Sequence, residues 1–168
     1  MQDMSREENM DLLVNLYARS WSSHKRNQND VRIVRALAPD RERILDFVRN
    51  KFGIGWAGEC AVALSNQPIS CFLAVIDGEL VGFACYDATG KGYFGPIGVD
   101  PGHQVAGVGT DLFYACMEAM RHSGYGYAVI GGGEGARGFY EKVADAIVIP
   151  GSELGIYQRM IGYAPTKD

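Results

Sequence analysis

Apolar and polar positions along the chain fall into two kinds of run. Residues 31–37 alternate apolar with basic side chains, as a strand wet on one face would. Pro39 and Asp40 then open a helical pattern to about Phe52. Ile44, Leu45, Phe47, Val48 and Phe52 fall on one side of it, with Arg41, Glu42, Asp46 and Arg49 largely opposite. Glycines between Gly53 and Gly58 break that pattern, and residues 57–65 predict a second, shorter helix. Cys71–Ile76 and residues 80–86 flank Asp77-Gly78, a pair that favours the tight turns matching strand twist, so they predict a hairpin. A turn at Thr89 to Gly92 leads into a strand over Tyr93–Val99. Pro96 has no N–H to give a ladder, which predicts an interruption of that strand at 95–98. Beyond Asp100-Pro101-Gly102 the pattern predicts a long helix over about 106–122, with Val108, Leu112, Phe113, Cys116, Met117 and Met120 at helical spacing. A strand over Tyr127–Ile130, three glycines, a short helix over about 136–143 and two strands near 146–149 and 155–160 complete the pattern. The order β-α-α-β-β-β-α-β-α-β-β predicts one mixed sheet with helices on it.

Residues 1–30 differ from the rest. An apolar island, Leu12 to Leu16, precedes a polar run from Ser22 to Asp30, and its periodicity fits a helix or a strand equally. The expected organisation is an N-terminal appendage and linker over 1–30, then one domain over 31–168. The chain is 47% hydrophobic, ample for one core. A net charge of −4 argues against a general nucleic-acid binder. Residues 1–52 carry ten Lys/Arg against eight Asp/Glu, the remainder six against twelve. An acidic body of this kind mildly favours a cationic partner. The four cysteines, Cys60, Cys71, Cys85 and Cys116, form no CxxC pair and no zinc signature, so the expectation is buried free thiols, no metal and a reducing, cytoplasmic setting. The first residues lack a basic start and an apolar core, so no signal peptide is expected. No apolar stretch reaches the ~20 residues of a membrane span.

The chemistry concentrates in one loop. Tyr93–Val99 feeds through Asp100-Pro101-Gly102 into Gln104-Val105-Ala106-Gly107-Val108-Gly109-Thr110, where the long helix begins. A helix start presents unpaired N–H groups and the positive end of its dipole. Glycines at 107 and 109 remove side chains that would hold a phosphate away from those amides. No Gly-Lys-Ser/Thr follows, so this is not a Walker loop.

Gln104-x-x-Gly107-x-Gly109, after Ile97-Gly98-Val99-Asp100-Pro101, resembles the Q/R-x-x-G-x-G/A signature of the GNAT superfamily of acetyl-CoA-dependent N-acyltransferases. The segment 136–143, with its Phe139-Tyr140 pair, resembles that family's next helix. The resemblance implies an α+β fold, with a single mixed, mostly antiparallel central sheet between helices in three α/β/α layers. It implies acetyl-CoA as cosubstrate, with the Val99 N–H on the thioester carbonyl and Ile97 pairing with pantetheine. The diphosphate would meet the amides of Val105, Ala106, Gly107, Val108, Gly109 and Thr110. Tyr140 matches the tyrosine that serves as acid toward the departing thiolate. The implied acceptor is a small-molecule or peptide amine, with Trp56 as a wall of its pocket and residues 151–157 as the opposite rim; homodimers are common in such folds.

A general base does not follow, because the strand before the signature carries no acid. Asp87, His103 and Glu134 are the nearby candidates, beside a water relay. Gly133-x-Gly135-x-x-Gly138 matches a dinucleotide fingerprint, but too little chain remains for that fold. The lack of an evident base leaves a second reading: a non-catalytic coenzyme A-binding sensor or interaction domain.

Overall fold

The computed structural model describes residues 9–22, 30–103, 105–132 and 136–164. Its strands belong to a single mixed seven-stranded sheet in an α+β fold. The chain divides into two compact units, Leu16–Ala128 and Met1–Asn15 with Val129–Asp168.

In the larger unit β2 (Arg32–Arg35), β3 (Cys71–Ile76), β4 (Glu79–Tyr86) and β5 (Tyr93–Val99) pair antiparallel in that order. The hairpin read from Asp77-Gly78 is present, with both turn residues at positive φ. Helices α1 (Arg41–Phe52) and α2 (Ile54–Ser65) cover one face and α3 (Val108–His122) the other. Register sorts the side chains between them. Odd positions of β4, Phe83 and Cys85, join Leu73, Ile44, Val48, Cys60 and Ala63 in the core beneath α1 and α2. Even positions face α3: a Cβ on Gly82 would lie 3.2 Å from Leu112.

The interruption expected at Pro96 is present. Ala84 opposes Ile97, yet Tyr86 opposes Phe94, a one-residue slip across Gly95 and Pro96. Without it, Phe94 and Gly98 would share a face. Instead Phe94 packs edge-on against Phe113 of α3, with ring centroids 4.9 Å apart. Gly98 lies under the Phe52 ring of α1, where an added Cβ would come within 2.6 Å of it.

The second helix differs from expectation. It starts at Ile54, with only Gly53 between it and the end of α1, so Gly55, Trp56 and Gly58 are helical. Gly53, at φ 104, turns the chain, and burial of Ala57, Cys60, Ala63 and Leu64 outweighs the glycines' poor propensity.

The smaller unit holds β1 (Leu12–Asn15), the second half of β6 (Tyr127–Ile130), α4 (Arg137–Ala144) and β7 (Ile147–Val148). The apolar island is therefore a strand. It pairs antiparallel with β7, Leu12 opposite Val148 and Leu13 opposite Ile147. Leu12 and Val14 are fully buried. The final strand expected near 155–160 is a 3-10 turn over Ile156–Arg159, closed by Met160 N–H donating to the Tyr157 carbonyl. Its backbone satisfies itself locally and its side chains lie largely exposed, so no ladder forms there.

Candidate functional site

The end of β5 sets the direction of the backbone donors. Asp100 N–H donates to the Val81 carbonyl at 2.7 Å, which makes that pair a hydrogen-bonded rung. Antiparallel rungs alternate, so Val99 opposite Gly82, and Ile97 opposite Ala84, turn their N–H groups away from β4. Asp100 then builds the bend. Its carboxylate accepts from Gly102 N–H at 3.0 Å and meets Lys51 Nζ at 3.1 Å and His103 Nδ1 at 3.2 Å. The Gly102 amide, helped by Lys51 and His103, holds this carboxyl below its ordinary pKa. His103 is thereby a partner of Asp100, and its backbone N–H closes on the Asp100 carbonyl at 2.9 Å. The Asp-Pro-Gly run announced a turn, but not that Asp100 would hold it together.

Gln104 lies outside the described residues. Val105 N–H is committed to the His103 carbonyl at 2.8 Å, so it differs from the donor set expected of the loop. Val108 N–H makes a long contact, 3.4 Å, to the Val105 carbonyl. Gly107 caps α3 in the left-handed region at φ 86, where an L side chain is strained. Among the described residues, the amides of Gly107, Gly109 and Thr110 have no acceptor in the protein. Open space lies over Gly109, since an added Cβ there would meet nothing within 4 Å. A helix start of this kind presents its free amides and the positive end of its dipole to open space.

Trp56 stands on the first turn of α2, 38% exposed. It stacks on Phe52 with centroids 5.5 Å apart and an interplanar angle of 26°, and Phe83 closes the group at 6.3 Å. This aromatic layer rests on Gly98 through Phe52. Asp87, at φ 51, accepts Tyr125 O–H at 2.9 Å and Gly92 N–H at 2.8 Å. Its carboxylate pins a turn, and burial together with that bond pushes the Tyr125 hydroxyl up. Glu134, Gly133 and Gly135 lie outside the described residues.

The smaller unit carries Tyr140, buried on α4, its ring 5.2 Å from that of Phe139. It also carries Asp11, which nothing in the sequence singles out. Asp11 is buried, accepts Gly132 N–H at 3.2 Å, and its own N–H donates to Ser152 Oγ at 2.8 Å. Burial raises its carboxyl against the lowering effect of the Gly132 bond. Of the stretch 151–157, Gly155 approaches Asp11, where an added Cβ would lie 3.4 Å from Oδ1. A lone aspartate before an apolar island gives no local sign of this.

A cavity of about 360 Å³ opens elsewhere in the larger unit, along the flank of α3, lined by Trp21, Arg35, Phe72, Tyr114 and Glu118 among others. It shares only Asp111 with the first turn of α3 and holds none of the loop amides.

This arrangement, a bulged strand feeding a glycine-capped helix, is that of an acyltransferase fold. The acetyltransferase (GNAT) family model matches residues 31–145, and the chain belongs to that family. No curated protein matches the chain. Among solved structures it is similar to a GCN5-related glucosamine N-acetyltransferase region of a fungal multi-domain β-N-acetylglucosaminidase, at 12% identity and TM-score 0.63, over 83% of this chain and 19% of that one. It is similar to a GCN5-related N-acetyltransferase from Sphaerobacter thermophilus, at 14% identity and TM-score 0.61, over 83% and 48%. A ribosomal-protein-alanine N-acetyltransferase from Brucella melitensis biovar Abortus 2308 matches at 19% identity and TM-score 0.51, over 68% and 90%. At these identities the likeness is one of fold, and the chain spans only a part of the first two. No described helix is long and apolar enough to cross a membrane.

Proposed function

We propose that the chain is an N-acetyltransferase that moves an acetyl group from acetyl-CoA to an amine by direct attack within a ternary complex. The observation that carries this reading is the start of α3, where, among the described residues, the amides of Gly109, Thr110 and the left-handed cap Gly107 have no acceptor. They suit a diphosphate, with Ala106 and Val108 beside them. Acetyl-CoA supplies the acyl group as an activated thioester. Val99 N–H, turned away from β4, suits the carbonyl oxygen that gains negative charge under attack, and Ile97 the pantetheine arm. Holding both reactants removes much of the entropic barrier.

Tyr140 is assigned the departing thiolate. A tyrosine titrates near ~10 and a thiol near ~8.5, so full proton transfer is uphill by about 2 kcal/mol, and a hydrogen bond to the thiolate is its main contribution. Asp87 is left out of this proposal as a base, since its carboxylate holds Tyr125 and Gly92. A water relay, or capture of a neutral amine, takes its place. The acceptor is a small-molecule or peptide amine, with Trp56 on the wall of its pocket. Four free, buried cysteines accord with a cytoplasmic setting.

The test is release of coenzyme A thiol from acetyl-CoA across a panel of amines. Turnover with at least one amine supports the enzyme. Tight coenzyme binding without release to any would move the reading to a non-catalytic coenzyme A-binding domain. Gly107→Val places a branched side chain at positive φ in the loop and is expected to weaken coenzyme binding by about tenfold or more. Tyr140→Phe is expected to lower kcat by about 10²-fold with coenzyme affinity nearly unchanged; an unaltered kcat would remove Tyr140 from the mechanism.

A further inference from the structure

The cavity along the flank of α3 has no part in the acetyl transfer. One side of it is β2, at the edge of the sheet, with β3. Arg35 stands directly opposite Phe72 in that ladder, and its guanidinium lies 4.7 Å over the Phe72 ring. The other side is α3, where Asp111, Ala115, Glu118 and His122 recur at helical spacing, and the small Ala115 leaves room between the two carboxylates. Trp21 adds a fixed aromatic wall. It is buried, its Nε1 donates to the Leu16 carbonyl at 2.8 Å, and its ring meets that of Tyr114 edge-on at 5.1 Å. All of these residues belong to the larger unit. We propose that this cavity binds a free α-amino acid with an aromatic side chain.

Two charges of opposite sign select the ligand. Arg35 commits Nη1 to the Ile69 carbonyl at 2.6 Å and the Tyr86 hydroxyl at 3.0 Å. Its Nε and Nη2 have no acceptor among the described residues, which leaves the edge of the guanidinium that grips a carboxylate through two parallel bonds. Glu118 is half-buried and makes no hydrogen bond or ion pair among the described residues. The two side chains line one cavity yet stand too far apart to pair with each other. A zwitterion fits between them, its carboxylate on Arg35 and its ammonium on Glu118, with the Asp111 carboxylate on the same helix face. Other ligands fail on the same charges. A phosphate would face two carboxylates, and a bare amine would lie beside a guanidinium. A neutral ligand would take water from both charged groups and return no bond. Trp21, Phe72 and Tyr114 supply rings for an aromatic side chain. At about 360 Å³ the cavity has the size of a metabolite pocket.

The test needs no coenzyme, so it stands whether or not the chain transfers acetyl groups. Trp56→Phe leaves Trp21 as the only tryptophan. That full-length chain is titrated with L-phenylalanine, calorimetry giving the affinity and Trp21 emission the place. The expected result is saturable binding with a matching change in emission. Affinity is expected to exceed that for phenethylamine or 3-phenylpropionate, which each carry one of the two charges, by about tenfold or more. Glu118→Gln and Arg35→Lys, checked for folding by circular dichroism, are each expected to weaken binding by about tenfold or more. The proposal is overturned by no binding at millimolar L-phenylalanine, by binding that leaves Trp21 emission unchanged, by equal affinity for either one-charge analogue, or by unchanged affinity in either folded variant. Should Arg35→Lys fail to fold, phenethylamine, which lacks the carboxylate, reports on the Arg35 contact in the reporter chain itself.

Discussion

Asp11 is the residue whose environment most changes its chemistry. Burial raises its carboxyl pKa, so the folded chain holds that proton more tightly than the unfolded one. Native stability therefore falls as pH rises from the ordinary carboxylate value through the raised one, and this contribution stays lost at neutral pH. Asp11→Asn keeps an oxygen for Gly132 N–H and carries no charge. The variant is expected to be at least as stable as wild type at pH 7 and to lose this part of the pH dependence. Urea unfolding at pH 4 and pH 7 reads it, and an unchanged difference between the two would refute the assignment. Legibility at this scale followed locality. The bare helix start at Gly107 and Gly109 was legible because it is made by neighbours in sequence. Asp11 takes its character from Gly132 and Ser152, distant in sequence, and nothing near it signals burial.

At the scale of elements, the tightest constraint is the approach of α1 to β5. Phe52 occupies the space a Cβ on Gly98 would take, at 2.6 Å, while stacking on Trp56. Gly98→Ala is expected to cost about 1–3 kcal/mol by overpacking. Phe52→Leu should recover part of that, so the pair is expected to be non-additive by at least about 0.5 kcal/mol in denaturant midpoints. Full additivity would mean the ring moves aside freely. The slip at Gly95 and Pro96 was legible because proline lacks a donor. The early start of α2 was not, since Gly55 and Gly58 disfavour a helix and only its packing over β3 and β4 decides otherwise.

At the scale of the whole molecule, the family match begins at residue 31, whereas the smaller unit draws β1 from ahead of it. Leu12 and Val14 are buried there, so the stretch matched by the family model leaves out part of a core. Leu12→Ala with Val14→Ala is expected to cost about 3 kcal/mol or more and to speed amide exchange at Ile147 and Val148. Unchanged exchange would show that β7 does not depend on this partner. The α+β class and most of the order of elements were legible from periodicity alone. The β1–β7 pairing was not, because strand partners so far apart leave no local trace. That separation also has a consequence during synthesis. Leu12 emerges from the ribosome 136 residues before Val148, roughly 7–27 s earlier at ordinary translation rates. For that interval the nascent apolar strand is without the partner it has in the folded chain, and its buried face waits on a strand not yet made.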